Sequence, residues 1–378
     1  MNQNTKQYFK LFASCIPVKG YFRSLICDLQ NRKIHYITNL LYEVIKVCEN
    51  CELKLVKKLH NNEIDKGIDV SISYFVDKGW GFITDSPDDF PDLPLIFYCP
   101  YKITNVILEI NNNSSYITSD FYLKIDKLGC EALEIRWIDR LDLNLQKKLL
   151  IQLSKSQLKS IIIYYPFSAE FGNKKASLHL LNIEGRIKNI VIHSSPFSYS
   201  KRHINDNSRS IDYIVENLDY SADCGYIGFS AFFSNYTLFS ESQDYNTCLN
   251  RKLTVNSDGM IKNCPSMKHH YGHISNTKLE DVVNLPEFQK WWHIKKDQID
   301  VCKDCEFRHM CTDCRAFIKD PENIYSQPAK CPYNPYIAKW ESEECYVPVE
   351  ECGSYTRETG FVPDKKKIRK LNKQIWGE

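Results

Sequence analysis

No run of apolar residues in this 378-residue sequence is long enough to cross a bilayer, and its start, MNQNTKQYFKLFASCIPVKG, is broken by Lys6, Lys10 and Lys19 before a signal-peptide core can form. A cytoplasmic protein is expected. An excess of one charge is also missing: 49 Lys and Arg against 47 Asp and Glu leave a net +2, which gives no sequence-independent pull toward nucleic acid or anionic lipid. A Gly-rich phosphate loop, Gly-x-Ser-x-Gly and His-Glu-x-x-His are all absent, so nucleotide hydrolysis, serine-hydrolase and zincin readings lose support. Internal repeats and low-complexity tracts are lacking too. What is present, 43% hydrophobic and 25% charged residues, is ordinary for a folded protein of two or three domains and excludes disorder as the dominant state.

The pattern changes along the chain. Residues 21–30, YFRSLICDLQ, read as a strand, Ile37 to Val47 repeats apolar residues at helical spacing, and Glu52 to His60 reads as another helix. DVSISYFVDKGWGFITD predicts a helix ending near Gly79 and an aromatic strand from Trp80 to Thr84. Over residues 1–90 this order resembles a winged-helix module, and the proline-rich 86–95, SPDDFPDLPL, reads as a linker. From 100 to 240, runs dense in branched residues recur: NVILEI (105–110), ALEIRWI (132–138), SIIIYY (160–165), NIVIHS (189–194) and YIGFSAFF (226–233). Helically spaced stretches, Leu143 to Leu158 and Ser208 to Leu218, lie between them. The expected fold class is α/β, a partial parallel (β/α) barrel. Residues 245–340 are turn-rich and cysteine-rich, with one helix expected at LEDVVNLPEFQKWWHIKK after Asn276 and Thr277, and the basic tail 341–378 reads as a solvated end.

A reducing compartment shifts the reading of 16 cysteines from disulfides toward metal or redox sites. Seven are scattered over the first 230 residues, whereas nine fall between Cys248 and Cys352. Their register is Cys248, ten residues, Gly259, four residues, Cys264, a long gap, Cys302-x2-Cys305-x5-Cys311-x2-Cys314, and Cys331. Short loops let several such sulfurs converge on one metal centre. Zinc takes four ligands in a closed tetrahedron and cubane clusters take one cysteine per iron, so seven sulfurs suit two iron–sulfur centres better than two closed zinc sites. Iron–sulfur, zinc and plain buried thiols all remain open at this stage.

The register resembles the SPASM domain of radical SAM peptide-modifying enzymes: Cys, 9–15 residues, Gly, 4 residues, Cys, a gap, CxxCx5Cx3C, a gap, Cys. VNSDGMIKNC (255–264) matches the family's strand-turn-strand, with Asp258-Gly259 as its turn, and YGHI (271–274) stands where the family carries Gly-Asn-Ile. Cys311-x2-Cys314 is one residue short of the family spacing. The resemblance implies that Cys302, Cys305, Cys311 and Cys331 ligate an outer auxiliary 4Fe-4S cluster and that Cys248, Cys264 and Cys314 hold an inner one. The inner vacancy is left to Cys224, a solvent thiol or substrate. Radical SAM enzymes also carry CxxxCxxC after their first barrel strand; here that place reads NVILEINNNSSY, and no Gly-Gly-Glu follows ALEIRWI, so SAM is not expected as a cofactor. Taken whole, with FASCIPVKGYFRSLICDLQ at its start, the chain resembles the SPASM-domain peptide maturases of grasp-with-spasm systems, which pair with an ATP-grasp ligase and a ribosomal precursor peptide. By that resemblance Tyr21 to Leu29 and Ile37 to Val47 form a groove where a leader peptide adds as a strand.

Further residues are weaker candidates. Cys48-x2-Cys51 has no second CxxC nearby and reads as incidental, as do Cys345 and Cys352. His269, His270 and His273 fit a polar turn better than a metal site; Trp291 and Trp292 fit a core; Asp139 and Asp142 follow the second strand as unpaired loop acids. Three functions follow: a precursor-binding maturase or accessory protein with clusters, an enzyme using an open inner iron as Lewis acid, and a zinc-stabilised peptide-binding interaction protein without catalysis.

Overall fold

The computed structural model describes residues 6–49, 51–59, 65–114, 121–169, 174–312 and 314–377. His60, at the end of one expected helix, and residues 115–116 of the first barrel loop lie outside them. The chain divides into two compact units: 1–97 with 226–247 and 294–378, and 98–225 with 248–293. The cysteine-rich segment is thus shared between both.

The first unit opens with strand β1 (Tyr8–Leu11) and an antiparallel meander, β2 (Cys15–Lys19), β3 (Arg23–Asp28) and β4 (Lys33–Thr38). Three helices follow, α1 (Asn39–Cys48), α2 (Leu53–Leu59) and α3 (Asp65–Asp77), and then β5 (Gly81–Thr84). The Thr38 hydroxyl starts α1 by accepting the Leu41 N–H at 3.2 Å, one of the orphan donors of a helix N-terminus. Strand β5 pairs with β1 at the head of the chain. The central strand of the meander is β3, with both edges already bonded, so the groove expected along 21–29 has no free edge there. A peptide adding as a strand must take the outer edge of β2 or β4.

In the same unit the meander meets the last third of the chain. Val18, Leu25, Cys27 and Leu29 pack with Phe239, Phe307, Met310 and Tyr333 in one buried cluster. Arg23 Nε donates to Glu306 Oε1 at 2.8 Å, and Tyr333 Oη donates to the same oxygen at 2.6 Å. The Arg23 guanidinium also lies 4.0 Å from the Tyr36 ring centroid. The Tyr21 N–H donates to the Asp304 carbonyl at 2.8 Å, and Gly20 leaves room that a Cβ would lose to Glu306. The C-terminal helix Lys365–Trp376 is capped by Asp364 and packs Ile368 into a second cluster with Tyr336, Ile337 and Phe361, so the basic tail is a docked helix.

The second unit is built on an eight-stranded sheet. In sequence its strands are β6 (Asn105–Ile110), β7 (Ala132–Trp137), β8 (Ser160–Pro166), β9 (Ile187–His193), β10 (Tyr199–His203), β11 (Asp206–Tyr213), β12 (Lys252–Val255) and β13 (Ile261–Lys262). Helices α4 (Phe121–Lys127), α5 (Leu143–Leu153) and α6 (Lys174–Ile183) cross between the first four. The spatial order is β10-β11-β9-β8-β7-β6-β12-β13, with β12, β6, β7, β8, β9 and β11 parallel and the two edge strands antiparallel. Such a sheet needs one face covered by its crossover helices. That face carries Val106, Leu108, Ile135, Trp137, Ile163, Tyr165, Ile190, Ile192 and Tyr213, all buried. The Trp137 indole donates to Gln146 of α5 at 2.6 Å, and the Ser177 hydroxyl of α6 meets Tyr165 and Tyr213 at 3.1 and 2.8 Å.

Three elements differ from expectation. Ser208 to Leu218, expected helical, contains β11, because Arg209, Ile211 and Tyr213 are buried at a period of two. Tyr226 to Phe233, expected to be a barrel strand, holds only a 3-10 turn at Phe229–Ala231 and belongs to the first unit. The place of a further sheet strand is taken by β12, from within the cysteine-rich segment. The single helix expected at 279–296 is broken into Leu279–Val283, Pro286–Gln289 and a 3-10 turn at Lys290–His293. Pro286 is the cause: it forces Leu285 to an extended ψ of 131° and then starts a new helix at its first position.

Candidate metal centre

In the first unit, Cys302, Cys305, Cys311 and Cys331 line a single recess whose other walls include Ile227, Phe232, Phe307, Pro328 and Tyr333. Local turns put them there. Cys302 opens a 3-10 turn, Cys302–Asp304, entered through Val301 at φ +67°, a left-handed conformation that a branched residue adopts only where its surroundings impose it. The Cys305 N–H then bonds the Cys302 carbonyl at 3.0 Å, Cys311 N–H bonds Phe307 at 3.1 Å, and Cys331 N–H bonds Pro328 at 3.2 Å. Each sulfur is held by a closed backbone turn.

Lys296 and Arg308 also line this recess, so it brings cationic side chains beside its thiols. Burial pushes the Cys305 thiol well up, and the neighbouring Glu306, Cys331 and Cys302 push it further, because several anions cannot share a low-dielectric wall. Glu306 is itself raised by burial, with Arg23 and Tyr333 pulling it back. Four thiols on one recess are a soft donor set that fits a metal–sulfur centre. Among the described residues no three His, Cys, Asp or Glu side chains are arranged around a single metal-ion position.

The second unit gathers another set. Cys264 and Cys224 are joined by a hydrogen bond, and Lys252 Nζ donates to Cys248 Sγ at 3.6 Å. Burial works against the Lys252 ammonium, but Cys248, Cys264 and Cys224 outweigh it and hold it up at about 12. The Cys224 thiol is lowered by its hydrogen bond to Cys264, with Lys252 and Arg136 adding to the effect, while Cys264 is raised by the same shared proton and by burial. Cys314, which the family pattern places with Cys248 and Cys264, is buried in the first unit and is not part of the recess wall formed by Cys302 and its partners.

Sequence reasoning passed over the polar face of the sheet. Glu109, Glu134, Arg136, Tyr164, Asn189, His193, Lys252 and Thr254 all have the parity opposite to the apolar face. Glu134 pairs with Arg136, which also lies 5.3 Å from the Tyr220 ring centroid and donates to the Tyr220 carbonyl at 3.3 Å. Asn189 Oδ1, His193 Nε2, Tyr220 Oη and Thr254 Oγ1 are buried without a hydrogen-bond partner. The signal that points to this face is charge at alternate positions inside runs otherwise read as buried strands, as in ALEIRWI.

The weaker candidates settle into structural roles. Asp142 caps α5 by accepting the Asn144 and Leu145 N–H groups at 2.8 and 3.0 Å. His273 packs over Gly259, which sits at φ +80°, and accepts the Ser275 N–H at 3.2 Å, while His269 lies against Tyr271. Trp292 is buried against Phe288. Cys48 is buried and raised to about 11 by burial, Cys51 and Cys345 are exposed, and Cys352 belongs to a hydrophobic cluster.

Residues 247–306 match the SPASM family, described as an iron-sulfur cluster-binding domain. That span holds Cys248, Cys264, Cys302 and Cys305. No curated protein matches the chain. Two solved structures resemble it weakly: Streptococcus suis SuiB bound to S-adenosylmethionine, at 10% identity, 82% coverage of this chain, 96% of that chain and a TM-score of 0.30, and SuiB bound to precursor peptide SuiA, at 10%, 85%, 98% and 0.28. Likenesses at this level carry no argument. The expectation that SAM has no place here gains nothing from them, since one of these structures holds it. Among the described residues no helix is long and apolar enough to cross a membrane.

Proposed function

We propose that the chain is a cytoplasmic SPASM-domain peptide maturase, or an accessory protein, in the biosynthesis of a ribosomally synthesised and post-translationally modified peptide, acting with the ATP-grasp ligase of a grasp-with-spasm system. It binds the precursor peptide and two auxiliary 4Fe-4S clusters. The observation that carries the reading is that Cys302, Cys305, Cys311 and Cys331 line one recess in a chain whose residues 247–306 match an iron-sulfur cluster-binding domain. Cys302, Cys305, Cys311 and Cys331 would hold the outer cluster, and Cys248, Cys264 and Cys314 are assigned to the inner one by the family pattern. Bound clusters supply one-electron chemistry or cross-link loops. The modules assigned to 1–90, 100–240, 245–340 and 341–378 belong to the same proposal, as does the winged-helix character of the first. The precursor leader would add as a strand to the open edge of β2 or β4. Arg23, on the same meander, links that strand surface to the wall of the recess through Glu306. No step uses SAM, because the chain carries no CxxxCxxC.

A second reading is a zinc-stabilised peptide-binding interaction protein without catalysis. It is favoured by the number of thiols on the recess, since Cys302, Cys305, Cys311 and Cys331 are the four a closed zinc tetrahedron takes. Iron, acid-labile sulfide and zinc per chain, measured on protein purified without oxygen, separate the two. The proposal expects about eight irons and eight sulfides, falling by about half in Cys302→Ala and in Cys264→Ala. Zinc near two with no sulfide supports the second reading and ends the first.

A further inference from the structure

We infer that the C-terminal part of the first unit carries a ligand cavity for an organic cation on an apolar stem, the chemistry of a lysine side chain or a free alkylamine. The cavity has a volume of about 270 Å³ and is lined by residues between Asp300 and Phe361 alone. Small-molecule sites run from roughly 300 to 1,000 Å³, so this one suits a ligand the size of one amino-acid side chain. Apart from Asp300 and Val301 its wall lies beyond the span that matches the SPASM family. The inference goes beyond the cluster reading above and holds whichever metal the cysteine recess takes.

The wall has an apolar side and one open polar group. Val301, Val349, Tyr355 and Phe361 supply the first. Asp300, 6% exposed, supplies the second. Its Oδ1 accepts Lys303 Nζ at 3.3 Å, while Oδ2 is buried with no hydrogen-bond partner among the described residues. A carboxylate oxygen out of water without a donor costs free energy that a ligand N–H recovers. The other acids on the wall are taken. Asp320 accepts the Tyr355 hydroxyl at 2.9 Å and lies 3.8 Å from Arg357 Nε, and Glu350 pairs with Lys319. An anion entering the cavity meets three carboxylates and one ammonium on its wall, and a metal ion finds one open carboxylate oxygen where it needs several donors. An alkylammonium answers both parts of the wall, with a charge-assisted hydrogen bond at its head and apolar contact along its stem.

The backbone is shaped to this use. The antiparallel pair Gly353–Thr356 and Gly360–Pro363 contributes Gly353, Ser354, Tyr355 and Phe361 to the wall. At Gly360, φ +68°, a Cβ would collide with the Asp300 carboxylate, so the bare Cα lets that side chain lie where it does. Val301, at φ +67°, joins the cavity to the cysteine recess: Asp300 lines the one, Cys302 lines the other, and Val301 and Gln327 line both.

The test is calorimetric titration of the full chain, purified without oxygen, with Nα-acetyl-lysine methylamide, butylamine and the uncharged Nα-acetyl-norleucine methylamide. Both amines should bind, and the norleucine compound should bind about tenfold more weakly or worse. Asp300→Asn should weaken the amines by about the same factor and leave the norleucine compound unchanged. If that variant does not fold, Ser354→Trp, at an exposed strand position on the cavity wall, decides alone by abolishing amine binding. Tighter binding of the acetyl-lysine compound than of butylamine supports the inference with a peptide side chain as the source, and the reverse order supports it with a free amine. Equal binding of charged and uncharged compounds, amine binding that survives Ser354→Trp, or no binding of either amine in the millimolar range overturns it.

Discussion

Replacing Arg23 by alanine tests whether the N-terminal meander and the cysteine recess stand or fall together. The Glu306 side chain is fully buried and that of Arg23 is 23% exposed, with 2.8 Å between Nε and Oε1. Tyr333 donates to the same carboxylate oxygen, and Oε2 has no hydrogen-bond partner. Without the guanidinium, a buried carboxylate keeps one phenol donor. Removing one partner of a buried ion pair costs about 3–5 kcal/mol, and the partial exposure of Arg23 places this case near the lower value, about 3 kcal/mol. For a unit of about two hundred residues each kcal/mol corresponds to roughly 2–4 °C, so the melting temperature of the first unit should fall by about 6–12 °C. Scanning calorimetry on protein kept anaerobic is the assay, with Arg23→Ala/Glu306→Gln as the second arm. The double variant should recover at least half of the loss, because a neutral amide no longer needs a counter-charge. A single variant within about 2 °C of wild type, or a double variant no better than the single, refutes the coupling.

Two further outcomes are expected. Glu109 is raised by burial, with Arg136 and Lys262 opposing, so its folded value lies above its unfolded one; the protonated acid is favoured in the fold, and stability contributed at low pH is lost as pH rises through the raised value. Glu109→Gln should therefore gain on wild type in melting temperature between pH 4 and 7, and a gap that narrows with pH would reverse the sign argued here. Gly259 sits at φ +80° with His273 Nε2 where a Cβ would clash; Gly259→Ala should cost about 1 kcal/mol or more in urea unfolding, of which His273→Ala relieves the clash and leaves the backbone strain.

How far the sequence reaches depends on what kind of signal an element carries. Strands β6, β7, β8 and β9 were legible because a buried parallel strand is a continuous branched run, and α1, α3 and α5 because their apolar positions recur at helical spacing. In β11 the alternating residues are Arg209, Ile211 and Tyr213, and an arginine at a buried position hides the period; it is accommodated there by donating to the Ile187 carbonyl at 2.8 Å, a partner no local reading supplies. The aromatic run 226–233 has strand composition but forms only a 3-10 turn at Phe229–Ala231, so composition alone misleads. For the site, the spacing Cys302-x2-Cys305-x5-Cys311 carries its own geometry, since turns of that length bring sulfurs to one place. Lys252 meets Cys264 through the β12–β13 hairpin, whereas Cys224 reaches Cys264 only through the fold, which spacing does not encode.

Arg23 and Glu306 are 283 positions apart. A ribosome adding about 5–20 residues per second needs roughly 15–55 s to travel that distance, and throughout that interval the side of the meander bearing Val18, Leu25 and Cys27 has no wall to close against. One face of the first segment made is therefore among the last surfaces to be covered. The other side of the meander closes early, on a cluster of Phe9, Ile26, Ile37, Ile45, Ile72 and Trp80 drawn from the first 80 residues, whereas the thiols of Cys302, Cys305, Cys311 and Cys331 gather only after Cys331 has emerged.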